Sequence, residues 1–235
     1  IVLSESLNNN FEGMIEENRI YIVKNCVDNQ YLLLNKETEQ KLDRLKKKLV
    51  IHILWLSNFI STKGYPQVLE MAKLEKERVL SGQKKRFHFD FAGSFFEESE
   101  KKFFEDYIKK NTLEEYITYH GIVSGKKKKE LLKQCDIFIL PTRYANEGQP
   151  ISILEAMGNA MYIVTTNHAG IPDIVKDGEN GIVIEENIPI VHVYNRLISL
   201  KNEELVSTNR ANREYCRTHF SQEQYIMGMK EVFKI

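Results

Sequence analysis

From Val50 to Glu185 the apolar positions of the chain fall into two alternating rhythms. Short apolar blocks rich in β-branched and aromatic residues read as strands: VIHILWLS (50–57), RFHFDFAG (86–93), YITYHG (116–121), DIFILP (136–141), MYIVTT (161–166) and GIVIE (181–185). Between them lie segments with helical spacing. YPQVLEMAKLEKERVL (65–80) carries Val68, Leu69, Ala72 and Leu80 as its apolar stripe. SEKKFFEDYIKKN (99–111), KKKKELLKQC (126–135) and PISILEAMGN (150–159) follow the same rule, and IPDIVKDG (171–178) reads as a short helix closed by glycine. Upstream, IVLSESL suggests a strand end and a loop, and RIYIVKNCVD (19–28) a short strand and a turn. NKETEQKLDRLKKKL (35–49) is so charged that it reads as a surface connector or exposed helix. Helices dominate after residue 185.

Strands alternating with helices predict βαβ units, so the expected fold class is α/β: a Rossmann-like parallel sheet with helices on both faces. In such sheets ligands bind in the crevice beyond the carboxyl ends of the strands. That rule selects the loops after Ser57, Gly93, His120, Leu140 and Thr166.

Composition narrows the function classes. The 235 residues suit one large domain, or a domain with part of another. Lysine plus arginine equals aspartate plus glutamate, 33 each, so no global basic field recruits nucleic acid. Cys26, Cys135 and Cys216 are far apart, with no CxxC or Cys/His ligand spacing, which argues against a disulfide framework or a structural zinc and for a reducing compartment. No apolar run has the length of a membrane span, and no signal peptide is recognisable. The chain begins with Ile1 inside an apparent strand, as a piece of a longer protein would.

The loop PTRYANEG after Leu140 is long for a βα connection and ends at a helix start, near Gln149 or Pro150. Free N–H groups and the positive dipole end there make an anion site, and Gly148 lets a ligand approach the backbone. Ser152, Glu155 and Asn159 share one helical stripe, while Ile151, Leu154 and Met157 share another that should face the core. Glu155 is then free to point along the crevice and accept from a vicinal diol. The spacing is equally compatible with a capped surface helix carrying two incidental acids. Lys63, in NFISTKGYP, stands at the same sheet edge and can hold a phosphate as a point charge, although alone it reads as a solvated lysine. No GxxxxGK[ST] and no GxGxxG follows a strand, which excludes a P-loop and leaves a dinucleotide fingerprint unsupported. Lys126 to Lys129 read as a solvated face, with attraction to anionic membrane a minor role, and His168 in NHAGIPD reads first as part of a turn.

Taken together, LSNFISTKG, LPTRYANEGQPISILEAMGNA with its E-x7-E pair Glu147 and Glu155, and NHAGIPDIVKDGENGIVI resemble the retaining nucleotide-sugar glycosyltransferases built from two facing Rossmann-like domains (the GT-B fold, group 1, family 4 type). The resemblance runs from about Val50 to Glu185. It implies that Lys63 binds the donor diphosphate, with Asn58 nearby where many relatives carry arginine. It implies that Glu147 contacts the transferred sugar, Glu155 the ribose hydroxyls, and Val123 the base through main-chain groups. Gly148, Gln149, Pro150, Ile151 and Ser152 would hold sugar and phosphate at the helix start, and Glu147 and Lys63 would be the catalytic pair. Ala160 stands where glycine is common. No cofactor or metal is implied, in keeping with the lack of a DxD pair at a strand end.

The implied organisation is the end of an acceptor domain and a hinge at 1–28, the donor-binding domain at 29–218, and a helix at 219–235 that crosses back to a missing N-terminal domain. The implied activity is transfer of a sugar from a UDP- or GDP-linked donor, with retention, to a glycan, lipid-linked or small-molecule acceptor. The setting would be cytoplasmic polysaccharide synthesis, with peripheral contact at the inner membrane face. A nucleotide-sugar epimerase, a non-catalytic nucleotide-sugar-binding module and a regulatory Rossmann-like domain are the competing readings.

Overall fold

The computed structural model of the chain describes residues 1–234; Ile235, the last residue of the expected terminal helix, lies outside the described residues. Six parallel strands form one sheet: β1 (Ile51–Leu56), β2 (Phe87–Ala92), β3 (Ile117–Tyr119), β4 (Ile137–Leu140), β5 (Tyr162–Thr166) and β6 (Gly181–Ile184). Each of the six blocks expected from the sequence is a strand, trimmed by a residue or more. β4 and β5 are buried along their whole length and β1 at all but His52, which is why they read as continuous apolar runs. The order is β3-β2-β1-β4-β5-β6. The chain therefore builds outward from β1 to one edge, then returns to lay β4 on the other side of β1, through the pairs Ile53–Ile137 and Leu54–Phe138. That reversal opens the sheet's binding crevice between the carboxyl ends of β1 and β4.

The helices are α1 (Asn35–Lys46), α2 (Tyr65–Leu80), α3 (Glu98–Asn111), α4 (Gly125–Gln134), α5 (Ile151–Gly158), α6 (Ile190–Ser199), α7 (Asn202–His219) and α8 (Gln222–Phe233). α2 buries Val68, Leu69, Met71 and Ala72, but Leu80 at its last turn is exposed, since the helix has run past the sheet. α1 is more than an exposed connector: Thr38, Lys41, Leu42 and Leu45 are buried. The Lys41 ammonium donates to Leu132 O at 2.9 Å and Asn159 O at 2.7 Å, and so caps the carbonyl ends of α4 and α5. Burial pulls the pKa of this lysine down to about 8.

The segment 171–178 forms successive turns instead of a helix. The Lys176 N–H is taken by Asn180 Oδ1 at 2.8 Å, which breaks the helical ladder as it starts. At the N-terminus the two expected strands shrink to a single parallel bridge, Val2 with Ile22. The segment is tied down by side chains: Ser6 donates to both oxygens of Asp173, and Gln149 donates to Leu3 O at 3.0 Å. Among the described residues no helix is long and apolar enough to cross a membrane.

Candidate functional site

The loop after β1 is anchored before it reaches its lysine. Phe59 inserts fully buried among Trp55, Phe95 and Phe104, at centroid distances of 4.6, 4.3 and 5.1 Å. A 3-10 turn, Ser61–Lys63, follows, and the indole N–H of Trp55 donates to Lys63 O at 3.2 Å. The loop after β4 docks on this one: Arg143 N–H donates to Thr62 O at 2.6 Å. Gly64 permits the approach, with a φ of +87° and a Cβ position that would fall 2.4 Å from Pro141 O.

This docking brings the two candidate catalytic residues together. Lys63 Nζ lies 3.3 Å from Glu147 Oε2, with both side chains largely buried. Thr142 Oγ1 donates to the same carboxylate oxygen at 3.2 Å, and the Lys63 ammonium stands 4.8 Å from the centroid of the Tyr144 ring. His168, from the loop after β5, contacts Tyr144 O at 2.8 Å. It buttresses the site from behind, in keeping with its reading as a turn residue.

Immediately beyond Glu147, Gly148 is half-buried and its carbonyl accepts from Gly170 N–H at 3.1 Å. Gln149 is buried, and its amide is spent on Leu3 O and on the Asn25 N–H, so its side chain ties the N-terminal segment to the site. Pro150 is the N-cap of α5, which starts four residues after Glu147 and offers first-turn N–H groups that no side chain caps. Ser152 is half-buried. Ile151 departs from its expected core stripe: at 49% exposure it sits on the rim, while Ile153, Leu154, Ala156 and Met157 form the buried face. Asn58 is exposed on the β1 loop, and Val123 lines a depression with His120, Lys126, Lys127 and Leu131.

Glu155 differs most from expectation. It is 4% exposed, not laid along an open crevice. Its Oε1 accepts from Lys128 at 2.7 Å, and the Lys128 ammonium lies 4.5 Å from the centroid of the Tyr31 ring. Burial pushes the Glu155 carboxyl above its ordinary value, Lys128 opposes that rise, and nearby Asp28 adds to it. Lys128 therefore does not belong to the solvated face on which the sequence places it. A signal existed: it shares the helical phase of Leu131, Leu132 and Cys135, the buried stripe of α4 and its C-cap. Asn159, on the Glu155 stripe, is fully buried and structural, accepting from Leu33 N–H and donating to Glu155 O. Thr142, Tyr144 and Tyr31 were missed for want of a recognisable spacing.

The geometry is that of a crevice with a cation and a carboxylate on facing loops, a helix N-terminus beside them and a buried carboxylate a turn further in. Residues 35–217 match the family described as glycosyl transferases group 1. An uncharacterized 41.2 kDa protein in the cps region of Klebsiella pneumoniae is 24% identical over 230 residues, which cover 94% of this chain and 56% of that protein. A putative colanic acid biosynthesis glycosyltransferase, WcaL of Salmonella typhimurium, is 32% identical over 84 residues, 34% of this chain and 21% of that one. The crystal structure of Anabaena HepE in complex with UDP-glucose superposes with a TM-score of 0.75 at 15% identity, over the whole of this chain and 63% of that one, a likeness of fold. The chain thus spans just over half the length of its Klebsiella relative. With the family match running through every strand and both loops of the site, the chain belongs to the glycosyl transferases group 1.

Proposed function

We propose that this chain is the donor-binding half of a retaining nucleotide-sugar glycosyltransferase of polysaccharide synthesis, working without a resident metal ion. The observation that carries the reading is the Lys63–Glu147 pair, 3.3 Å apart at the reversal point of the sheet, with the start of α5 beside it. In this reading a donor diphosphate takes over Lys63 and lies against the N–H groups of α5. Charge developing on the leaving diphosphate then meets an ammonium and a helix dipole already in place. Glu147, released from Lys63 but still held by Thr142, turns to the hydroxyls of the sugar and orients it. Glu155 accepts from the ribose, and Val123 and its neighbours contact the base. A hexose on UDP or GDP is the donor class, and HepE, which holds UDP-glucose, supports the former.

Residues 1–28, 29–218 and 219–235 would be hinge, donor domain and returning helix. Uncovered apolar side chains at both ends support a facing acceptor domain: Met14 is 79% exposed, and Ile226 and Met227 on α8 are 51% and 62% exposed. The chain alone would bind donor without transferring it, and the whole enzyme would work in the cytoplasm at the inner face of the membrane. A thermal-shift screen of nucleoside diphosphates and nucleotide sugars tests the reading. A ligand at a hundred times its dissociation constant stabilises the fold by about 2.7 kcal/mol, so the matching nucleotide raises the melting temperature. If no nucleotide in the screen does so, the reading fails.

A further inference from the structure

The lysine over Glu155 stands where packing alone would place an apolar residue. Lys128 occupies the first turns of α4, in phase with Leu131 and Leu132, which are buried. A cation near a helix N-terminus is opposed by the dipole, and an ammonium withdrawn from water costs more unless it is paired. Both costs are offset by two contacts, the 2.7 Å bond to Glu155 Oε1 and the Tyr31 ring beneath the ammonium. The other oxygen of Glu155, Oε2, accepts no hydrogen bond among the described residues.

We propose that Lys128 is a positioning residue of the donor site: seated on Tyr31, it holds Oε1 of Glu155 so that the carboxylate stays ionised and offers Oε2 to the ribose hydroxyls. This rests on the reading of Glu155 as the ribose acceptor. Among the described residues, the charged and polar groups on the elements packed against α5 leave no substitute for Lys128. Asp28, from the segment before α1, is of the same sign. Tyr31 offers a ring. From α7, Arg213 donates to Gly158 O at 2.7 Å and Cys216 to Leu154 O at 3.3 Å. From β5, Thr165 and Thr166 donate to Leu140 O and Thr142 O. On α5 itself, Asn159 donates to the Glu155 carbonyl. Without Lys128, burial and Asp28 act on Glu155 unopposed, and the carboxyl takes up a proton at a higher pH. A protonated carboxyl has lost acceptor capacity, so nucleotide affinity falls at low pH and recovers as pH rises.

The test is calorimetric titration of UDP and GDP into the wild-type chain, Lys128→Met, Lys128→Gln, Lys128→Arg and Glu155→Gln, from about pH 6 to about pH 8.5. The wild type and Lys128→Arg share one pH profile, that of the nucleotide's own terminal phosphate. Relative to these two, Lys128→Met loses affinity toward the acid end and regains it at the alkaline end, the direction in which burial and Asp28 move the carboxyl once its cation is gone. Lys128→Gln keeps a donor without the charge and shows the same slope, and it serves if the methionine variant lacks a cooperative melt. A pH profile parallel to the wild type in both neutral variants overturns the proposal. Glu155→Gln separates the two layers: if it binds like wild type, the ribose assignment falls. If it binds weakly while the Lys128 variants keep the wild-type profile, only the role of Lys128 falls.

Discussion

Replacing Gly64 with alanine should cost far more than its place in a loop suggests, since it is buried. Gly64 holds φ at +87°, where an L side chain costs about 1–2 kcal/mol. The new Cβ would also fall 2.4 Å from Pro141 O and 2.5 Å from Pro141 Cγ. Backbone cannot step aside as a rotamer does, so the two loops must separate, at about 1–3 kcal/mol for overpacking. The sum is about 3 kcal/mol, a sizeable share of the stability of an ordinary domain. Gly82 supplies the control: its φ is +94° with nothing within 4 Å of the added carbon, so Gly82→Ala carries the conformational cost alone. Urea unfolding followed by circular dichroism gives both values with unchanged slope if the change lies in the folded state. Gly64→Ala should exceed Gly82→Ala by about 2 kcal/mol, and it should weaken nucleotide binding by parting Lys63 from Glu147. Equal losses for the two variants, with nucleotide affinity intact, would refute the claim that this contact sets the geometry of the site.

Lys63→Ala should reduce nucleoside diphosphate affinity roughly ten- to hundredfold, the worth of about 1.5–3 kcal/mol for a bond to a charged group. Unchanged affinity in calorimetry would remove Lys63 from the phosphate. Buried Asp90 is drawn against burial down to about 2 by hydrogen bonds from His120 and His52, each at 2.7 Å. A folded value below the unfolded one stabilises above the unfolded value and is lost as pH falls, here between about 4 and 2. Asp90→Asn should therefore be the less stable by about 2 kcal/mol more at pH 5 than at pH 2, and a constant difference in acid unfolding curves would contradict the pairing. Lys41 has the opposite sense: with its value lowered to about 8 from 10.5, the unfolded chain holds the extra proton between those pH values, so stability rises there. Relative to Lys41→Met, the wild type should gain up to about 3 kcal/mol across that window; a flat difference would mean that Lys41 keeps its charge on the two carbonyls it caps.

The strands were legible because parallel strands covered on both faces must be almost wholly apolar, and the helices between them because each shows a stripe. The alternation alone pointed to the carboxyl edge of the sheet and its five loops, while the strand order places the crevice between β1 and β4. What escaped the sequence were charges whose burial depends on partners distant in the chain. Lys41 meets the ends of two helices that begin far along the chain from it, and Lys128 looked like its three neighbours until its helical phase was set against Glu155. The turn at 171–178 escaped because Asn180 competes for a backbone N–H, a local side-chain bond that periodicity does not register. Ile151 belongs to the core by phase, but α5 enters the sheet only from Ile153 on, so its first residue stays on the rim.

Beside the Lys63–Glu147 pair, the donor site needs Glu155 as the acceptor for a ribose diol. Titrating the wild-type chain and Glu155→Ala with UDP or GDP and with the matching 2′,3′-dideoxy nucleotide measures that directly. The wild type should prefer the ribonucleotide by roughly tenfold or more, since each hydroxyl bond to a charged acceptor is worth about 1.5–3 kcal/mol, and Glu155→Ala should lose the preference. Equal affinity of the wild type for the two nucleotides would contradict it.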